Sequence, residues 1–425
     1  MTPFENVQIA SPAFKADPYP FYRRLRAEAP VCRVRLPGGQ EAYLVTRYND
    51  VAALLKDARF AKDRQNALTP EQMARSPWVP PVFAPLMRNM LDVDDPDHAR
   101  LRALVQKVFT PRRIEQMAER IQSVSDSLLD KAEARGSLDL IRDFALPLPV
   151  AVIADLLGVP KQDRANFARW SRTLIKNTGT PWDMVLTIPD LLAFVGFLRG
   201  LVRLRRAAPG DDLVSALIQA QENGDRLSDD ELIAMIAILL SAGHETTVNL
   251  VGNGMLMLLQ HADWCDRLRA DSSGIALAIE ELLRFASPVD MTTNRYAREP
   301  VSIAGTVLPR GSLVLGVLGS ANRDERYFTD AETLDLARTP NRHLAFGQGS
   351  HYCLGASLAR LEGRIAIGTL LRRFPDLRMA RPTEPLRWRR GLMLRGLESL
   401  PLTVTVAAPI TAPPRFPPWF RGAIR

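Results

Sequence analysis

Hydrophobic and polar residues alternate with two different periods along the chain. Residues 97–285 repeat their apolar positions with mostly helical spacing, whereas residues 288–320 and 385–406 alternate as strands do. Two further alternating runs, VCRVRL and EAYLVTR, flank a Pro-Gly-Gly sequence at 37–39 and predict a hairpin. Strand patterns on both sides of a helical middle predict a mainly α protein with a minor β region, folded as a single α-rich domain with small sheets.

Local signals place individual elements within this pattern. The run DPYPFYRRLRAEAP predicts an opening helix, and NDVAALLKD predicts a short helix capped by Asn49. Many prolines and little periodicity predict a long loop over residues 61–91. Residues 309–311, Pro-Arg-Gly, predict a turn, and the last helix is expected to start near Cys353.

Length and composition indicate the class of protein. The chain has 425 residues, 46% of them hydrophobic, which is enough for a large core. Its three cysteines are odd in number and far apart, so we expect a reducing compartment and no disulfide framework. The N-terminus lacks a basic region followed by an apolar run, and the longest apolar stretch, Leu232 to Gly243, is too short to cross a bilayer. These features predict a cytoplasmic protein without a membrane anchor.

The net charge of +8 argues for a protein partner more than for nucleic acid. Lysines and arginines are scattered among acidic residues, with no basic arm and no aromatic ladder on a basic strand. We therefore expect no nucleic-acid partner. A basic docking patch for an acidic protein fits the same charge.

Candidate chemistry begins with Cys353, which follows a glycine-rich loop in the run FGQGSHYCLGASLAR. Gly347 and Gly349 let the backbone turn sharply, Gly355 keeps the following helix thin, and Phe346 could shield the sulfur. Four interpretations are open at this point: a buried structural thiol, a zinc ligand, a nucleophile, or a thiolate that binds iron at a helix N-terminus, where the helix dipole lowers the thiol pKa.

The run SDDELIAMIAILLSAGHETTVNLVGNGMLMLLQ predicts a second functional element. Ser228 and Glu231 form a capping-box signature, and the helix is expected to run over residues 229–260. In its apolar middle, Glu245 precedes Thr246, and a buried acid beside a hydroxyl is costly unless it has a task. The alternative is a surface-facing polar patch on an amphipathic helix.

Two helical charge patterns complete the candidates. Glu281 and Arg284 share a helical face, although most such pairs are surface ion pairs. His98 and Arg102 also share a face. Together with Arg295 and His351, they offer four donors suited to two carboxylates, although each alone is typical of ordinary surface.

Taken together, the motifs F-G-x-G-x-H-x-C-L-G, A-G-x-E-T and E-x-x-R, in this order and spacing, resemble those of the bacterial cytochrome P450 family, the soluble haem-thiolate monooxygenases. The resemblance covers nearly the whole chain and implies the cytochrome P450 fold. It implies that Cys353 is the axial ligand of a haem b iron, and that Glu245 and Thr246 deliver protons to bound oxygen. Glu281 and Arg284 match the structural pair, completed by Arg338 in preference to Arg342. The remaining residues that match haem-binding positions are His98, Arg102, Arg295, His351, Phe346, Ala242 and Gly243.

The same resemblance implies the reaction and its partners. The expected function is insertion of one oxygen atom from O2 into a hydrophobic small molecule, by hydroxylation or epoxidation, in natural-product or xenobiotic metabolism. Electrons are expected from ferredoxin and a ferredoxin reductase that uses NAD(P)H, since no reductase domain is fused, and the protein is expected to be a monomer. A peroxide-driven peroxygenase and a non-catalytic haem-binding sensor are the alternatives.

The resemblance, together with the apolar character of several segments, also predicts the substrate class, the pocket residues and the docking surface. We expect a polyketide, a terpenoid or a fatty-acid-like molecule. The expected pocket residues are Trp78, Val82, Phe83, Met87, Val289, Met291, Thr292, Leu392 and Met393. The expected docking cations on the Cys353 face are Lys107, Arg112, Arg113, Arg360 and Arg364.

The C-terminal segment differs from the rest of the chain. Residues 1–406 are expected to form the haem-thiolate domain, and residues 407–425 a proline-rich tail that haem binding does not require.

Overall fold

The structure is a computed structural model that describes residue 4 and residues 7–74, 89–175, 181–220 and 225–404. The predicted pocket residues Trp78, Val82, Phe83 and Met87, and the predicted tail, lie outside the described residues.

Helices make up most of the described chain. In chain order they are α1 (Pro12–Ala16), α2 (Tyr19–Glu28), α3 (Tyr48–Leu54), α4 (Pro70–Ala74), α5 (Asp97–Gln106), α6 (Pro111–Glu115), α7 (Ala118–Arg135), α8 (Pro147–Leu156), α9 (Arg164–Ile175), α10 (Pro181–Ala207), α11 (Leu213–Gln219), α12 (Asp229–Gln260), α13 (Ala262–Ala270), α14 (Ile275–Phe285), α15 (Leu318–Ala321) and α16 (Ala356–Arg373). A π-helical turn, Leu140–Ala145, precedes α8.

The strands are short and form small sheets. They are β1 (Val31–Arg35), β2 (Glu41–Val45), β3 (Phe60–Ala61), β4 (Ser137–Asp139), β5 (Arg295–Ala297), β6 (Val301–Ile303), β7 (Thr306–Leu308), β8 (Leu313–Gly316), β9 (Arg378–Met379) and β10 (Pro401–Thr403). The largest sheet has the order β1-β2-β8-β5-β3, in which β2 and β8 are parallel and the other pairs antiparallel. A second sheet has the order β4-β10-β9, and β6 pairs with β7. This confirms the mainly α fold with small sheets and the predicted N-terminal hairpin.

Helix α12 lies at the centre of the main core, where it contacts α8, α10, α14 and α16. Its ends agree with the sequence prediction, and both hydrogen bonds of the Ser228–Glu231 capping box are present. The helix is long and apolar enough to cross a membrane, but more than half of its most apolar stretch is buried against neighbouring elements. Its apolar character is therefore that of a core helix.

One local prediction about the start of an element was wrong. Helix α3 begins at Tyr48 after Arg47, so Asn49 lies inside the first turn; the Tyr48 N–H instead donates to the Asp324 carboxylate, 2.8 Å away. A cap supplied by a distant side chain leaves no local signal. The last helix begins at Ala356, three residues after Cys353, which confirms that it starts near this cysteine.

Two wider predictions were wrong in part. The predicted loop 61–91 contains α4, whose first residue, Pro70, occupies a position that tolerates proline because its missing N–H has no helical partner there. Within the described residues 385–404, β10 is the only regular strand, and pairing elsewhere is limited to single bridges such as Trp388 with Leu397.

Candidate active site

The loop before α16 has a backbone shape that depends on glycine. Gly347 and Gly349 have φ angles of 68° and 76°, in the left-handed region. A Cβ on Gly349 would also lie 2.9 Å from the backbone oxygen of Leu55. The Cys353 N–H then donates to the Phe346 oxygen at 2.9 Å, which closes the loop and fixes the position of the cysteine.

The Cys353 side chain has accessible surface, yet protein atoms crowd the sulfur. Burial raises the pKa of the free thiol, while the Gly355 N–H and the charges of Arg360 and Arg102 act in the opposite direction. The expectation of a lowered thiol pKa is therefore wrong for the free thiol, because burial outweighs the favourable donors. A crowded but accessible sulfur is typical of a side chain that faces a recess.

A cluster of cationic groups lies beside this loop. The rings of His98 and His351 are 4.0 Å apart between centroids, and Arg102 donates to the Tyr352 oxygen at 2.8 Å. Burial, together with the nearby charges of His98, Lys62, Arg295 and Arg102, lowers the pKa of His351 to about 2. The structure thus brings together the four donors that the sequence singled out.

Sequence reasoning missed Lys62, the fifth member of this cluster. Burial and the charge of Arg295 lower the pKa of Lys62 to about 7, and its ammonium donates to the Thr293 hydroxyl and, at 2.9 Å, to the Asn294 oxygen. The residue follows β3 with no recognisable motif, so only the tertiary structure identifies it.

The cluster fits a ligand with carboxylates. His98 Nε2 and Arg295 Nε are buried without a hydrogen-bond partner among the described residues. Burial lowers the pKa of Arg295 to about 10, which shows how poorly its charge is compensated. A buried guanidinium with an unpaired N–H is costly, as is a buried imidazole nitrogen without a partner, and two carboxylates would supply negative charge and acceptors. The two propionates of haem have this chemistry.

The middle of α12 combines small residues with back-bonded threonines. Thr246 Oγ1 donates to the Ala242 oxygen at 2.8 Å, and Thr247 Oγ1 donates to the Gly243 oxygen at 3.1 Å. Ala242 is exposed and Thr246 is half-buried, whereas residues 247–256 of the same helix are buried. Gly243 has a packing reason to be small, since a Cβ there would lie 3.0 Å from Ile153 of α8.

Glu245 is half-buried and pairs with Arg389, whose guanidinium nitrogen lies 3.4 Å from the carboxylate. Burial raises the pKa of Glu245, and the charge of Arg389 opposes that rise. Sequence reasoning missed Arg389, which lies 144 residues away in an irregular segment. The acid is therefore held by a cation and prefers its protonated form more than a free carboxyl does.

The structure brings Glu281, Arg284 and Arg338 together, away from solvent. Arg284 makes two bonds of 2.7 Å to the Glu281 carboxylate, and Arg338 Nε donates to it at 3.2 Å. Asn341 adds a further bond at 3.0 Å. The Arg342 side chain is exposed, and its backbone oxygen accepts a hydrogen bond from the Tyr48 hydroxyl. Arg338 is thus the third member of this group.

The described candidates for the substrate pocket differ in accessibility. Val289 and Leu392 are half-buried, and Met393 is 40% exposed. Met291 is fully buried in a core cluster, and the Thr292 hydroxyl accepts from the Gly316 N–H. Met291 and Thr292 therefore have little accessible surface with which to contact a substrate.

Known proteins resemble this chain over most of its length. The family model for cytochrome P450 matches residues 202–276 and 275–395. Cytochrome P450 107B1 of Saccharopolyspora erythraea is 46% identical over 392 residues, which are 92% of this chain and 96% of that protein. This chain belongs to the cytochrome P450 family. Its matches confirm the family, fold class, activity and cofactor predicted from the sequence, and they favour neither a peroxygenase nor a haem sensor.

Solved cytochrome P450 structures agree in fold. The cytochrome P450 PksS of the bacillaene polyketide synthase from Bacillus subtilis 168 has a TM-score of 0.88 and 41% identity, with 94% of this chain and 100% of that chain covered. The myxobacterial cytochrome P450 CYP267B1, in complex with myristic acid, has a TM-score of 0.87 and 39% identity, with coverage of 94% and 99%. The protein is a haem-thiolate monooxygenase that binds haem b and inserts one oxygen atom from O2 into hydrophobic molecules.

Proposed function

We propose that Cys353 supplies the axial thiolate of this cytochrome P450 and that the cationic cluster beside it binds the haem propionates. The observation that carries the proposal is the set of buried, unpaired donors on His98 and Arg295 next to the Cys353 loop. Haem bound in this way supplies the oxygen-activating chemistry, with the thiolate increasing electron density at the iron. Lys62 belongs to the same set of propionate partners.

Glu245 and Thr246 are proposed to deliver protons. The Thr246 hydroxyl uses its hydrogen in the bond to Ala242, so its oxygen is left to accept a hydrogen bond from water. Glu245, with its raised pKa, can take up a proton from solvent and release it to that water. Arg389 orients the carboxyl and keeps it from becoming permanently protonated.

The substrate is proposed to be a hydrophobic natural product built on a polyketide or fatty-acid-like chain. PksS belongs to a polyketide synthase system and CYP267B1 was solved with myristic acid, which supports this class. Val289, Leu392 and Met393 supply apolar surface on the described side of the pocket. Hydroxylation and epoxidation are both open to such a substrate.

An acidic ferredoxin, reduced by an NAD(P)H-dependent reductase, is proposed to dock on the Cys353 face of a cytoplasmic monomer. Helices α6 and α16 contact each other, which supports a continuous surface there. Two expected cations contribute less than the sequence implied, because Arg360 pairs with Glu280 at 2.7 Å and Arg113 pairs with Asp211 at 3.0 Å. Arg112 is exposed and Arg364 is half-buried.

We further propose that residues 1–406 form the haem domain and residues 407–425 a tail that haem binding does not require. Strand β10 ends at Thr403, and the relatives match 92% of the chain, which supports a domain that ends close to this point.

The test of the proposed function replaces Cys353 with alanine. The reduced carbon-monoxide complex of the wild-type protein should show the red-shifted Soret band of thiolate ligation, and Cys353→Ala should lose it. Cys265→Ala is the matched control, since Cys265 is buried in α13 outside this site. A Cys353→Ala protein that retains the band would refute the proposed ligand.

A further inference from the structure

A buried ion pair joins α1, near the N-terminus, to the segment around residue 290. Lys15 of α1 has no accessible surface, and its ammonium contacts the Asp290 carboxylate at 2.5 Å. Tyr22 of α2, also fully buried, donates to the same carboxylate oxygen at 2.7 Å. We call Lys15, Tyr22 and Asp290 the Lys15 cluster.

The Lys15 cluster joins the two segments proposed to form one wall of the substrate pocket. The Lys15 ammonium also donates to the backbone oxygen of Leu392, 2.9 Å away. The backbone N–H groups of Asp290 and Met291 donate to the Met393 oxygen at 2.7 and 3.1 Å. One ammonium therefore contacts both segments, 288–292 and 392–395, at the place where they bind each other.

A second contact from α1 holds the same wall. Arg395, 4% exposed, donates to the backbone oxygens of Lys15 and Ala16 at 2.9 and 3.1 Å. Its guanidinium lies 3.9 Å from the centroid of the Trp388 ring. Segment 388–395 is thus attached to α1 through Lys15 on one side and Arg395 on the other.

The chemistry of the Lys15 cluster indicates a role in conformational specificity. A buried ion pair pays a large desolvation penalty, and well-packed apolar residues of similar volume often give equal or greater stability. A buried charge that loses its partner is strongly destabilising, however, so arrangements of these segments that separate the two charges are disfavoured. The site is also tight, because a Cβ on Gly319 would lie 2.4 Å from Asp290 Oδ1.

We propose that the Lys15 cluster sets the shape of the substrate pocket by holding Val289 and Met393 in one relative position. Lys15 and Asp290 are then positioning residues that determine which large ligands the enzyme accepts. This inference rests on the proposed function, in which Val289, Leu392 and Met393 line the pocket.

The experiment uses azole probes that bind haem iron through nitrogen and differ in size: imidazole, 4-phenylimidazole and clotrimazole. Spectral titration of the holoenzyme gives a dissociation constant for each. Lys15→Met keeps an unbranched side chain of similar length and removes the charge. It should weaken clotrimazole binding about tenfold while imidazole binding changes by less than about twofold. The ratio of the clotrimazole to the imidazole dissociation constant should therefore rise, and Asp290→Asn should raise it as well.

Asp212→Asn is the matched control, because Asp212 forms a buried ion pair with Arg205 at 2.7 Å at the start of α11. It should lower thermal stability and leave the clotrimazole-to-imidazole ratio unchanged. Tyr22→Phe removes a single hydrogen bond from the Lys15 cluster and gives a milder variant if the charge variants do not fold. It should shift the ratio in the same direction as Lys15→Met.

The outcomes separate this inference from the proposed function. Absence of the thiolate Soret band from the reduced carbon-monoxide complex of the wild-type protein would refute the proposed function itself. An intact thiolate band with an unchanged ratio in every folded Lys15-cluster variant overturns the inference. An equal change of the ratio in Asp212→Asn also overturns it, since the effect would then be general loosening.

Discussion

Thr246 and Thr247 are adjacent threonines whose hydroxyls make the same bond and face different surroundings. Each donates to the backbone oxygen four residues earlier. Thr246 is half-buried beside the exposed Ala242, whereas Thr247 is 2% exposed and interacts with Glu362 of α16. The pair therefore separates the effect of a hydroxyl at the active site from that of a hydroxyl in the core.

Thr246→Ala should uncouple oxygen use from product formation. Without the hydroxyl, water at this position loses its acceptor, and the proposed proton path through Glu245 is interrupted. Product per reductant consumed should fall about tenfold or more, with a matching rise in hydrogen peroxide. The measurement compares NAD(P)H oxidation, peroxide and product in one reaction.

Thr247→Ala is the control for this prediction. It removes an identical helix-bonded hydroxyl from the core, so it should lower thermal stability and leave coupling unchanged. Equal uncoupling in both variants would show that helix geometry, and not the Thr246 hydroxyl, matters.

Glu362 is an acid buried in the core without full compensation. It is 1% exposed, and its Oε1 has no partner among the described residues. Burial raises its pKa to about 8, although the contact with Thr247 lowers it slightly.

Glu362→Gln should stabilise the protein at pH 8 and change little at pH 4–5. The unfolded state ionises this group above a pKa of about 4.3, whereas the folded state does so only near pH 8, so wild-type stability falls across that window. Glutamine removes this penalty, worth a few kcal/mol by order of magnitude. Thermal unfolding of the holoenzyme at both pH values measures the difference.

Glu280→Gln is the comparison, because we expect it to change stability at pH 8 in the opposite direction. Although burial raises the pKa of Glu280, Arg360 and His343 together hold it at about 2. Its stabilising contribution is present above pH 4.3 and is lost as the pH falls toward 2. Glu280→Gln should therefore destabilise the protein at pH 8. A change in thermal stability of the same sign in both variants at pH 8 would contradict a raised pKa for Glu362.

At the scale of elements, the buried Arg284 joins α14 to the irregular segment 322–338. Besides Glu281, its guanidinium donates to the backbone oxygens of Asn322, Ala331 and Thr333 at 2.8 to 3.1 Å. One side chain thus supplies the partners for a loop that has no strand or helix of its own to satisfy these carbonyls.

Arg284→Lys should sharply reduce the yield of folded holoprotein. A lysine keeps one charge but cannot bind the carboxylate with two parallel bonds and reach three carbonyls as well, so buried acceptors lose their donors. We expect a loss of about 3–5 kcal/mol in the free energy of unfolding. Soluble yield and thermal unfolding are the measurements.

Arg338→Lys is the graded control, because Arg338 is 11% exposed and water can replace part of its contacts. It should cost clearly less than Arg284→Lys. Similar losses for the two variants would contradict a central role for Arg284.

Elements with complete local signals were predicted well from the sequence. Both ends of α12 followed from its capping box and its apolar pattern. Features that depend on distant partners were missed. Lys62 joins the cationic cluster and Arg389 pairs with Glu245 only through tertiary contacts, and neither contact leaves a pattern in the neighbouring sequence.

At the scale of the whole molecule, the cations that best attract an acidic electron donor are those not paired with a carboxylate. Arg360 and Arg113 are paired with carboxylates, so the exposed Arg112 is a better candidate for attracting an acidic donor. The half-buried Arg364 is a second candidate, although Glu280 lies close to it. The formal net charge of +8 adds a general attraction that acts before contact.

Arg112→Glu and Arg364→Glu should slow electron transfer from an acidic ferredoxin about tenfold at low salt, with substrate affinity unchanged. The difference from wild type should shrink as salt rises, since charges are screened beyond about 8 Å at physiological ionic strength. Stopped-flow reduction of the iron at several salt concentrations measures both effects.

Arg378→Glu is the control, with the same change in net charge on an exposed residue. It follows the end of α16 opposite to Cys353, and this helix of 18 residues is about 27 Å long. An equal loss of rate in Arg378→Glu would show that net charge, and not a docking face, controls the encounter.

The parallel pairing of β2 with β8 has a consequence for synthesis in the cell. About 270 residues separate the partners, and a ribosome adding about 5–20 residues per second needs roughly 15–50 seconds to deliver the second one. During that interval Leu44 lacks its core partners Leu313 and Leu315. The nascent hairpin thus exposes an apolar face and an unpaired strand edge, the features that holding chaperones recognise. Release of a chain that ends before β8 would yield an aggregation-prone fragment.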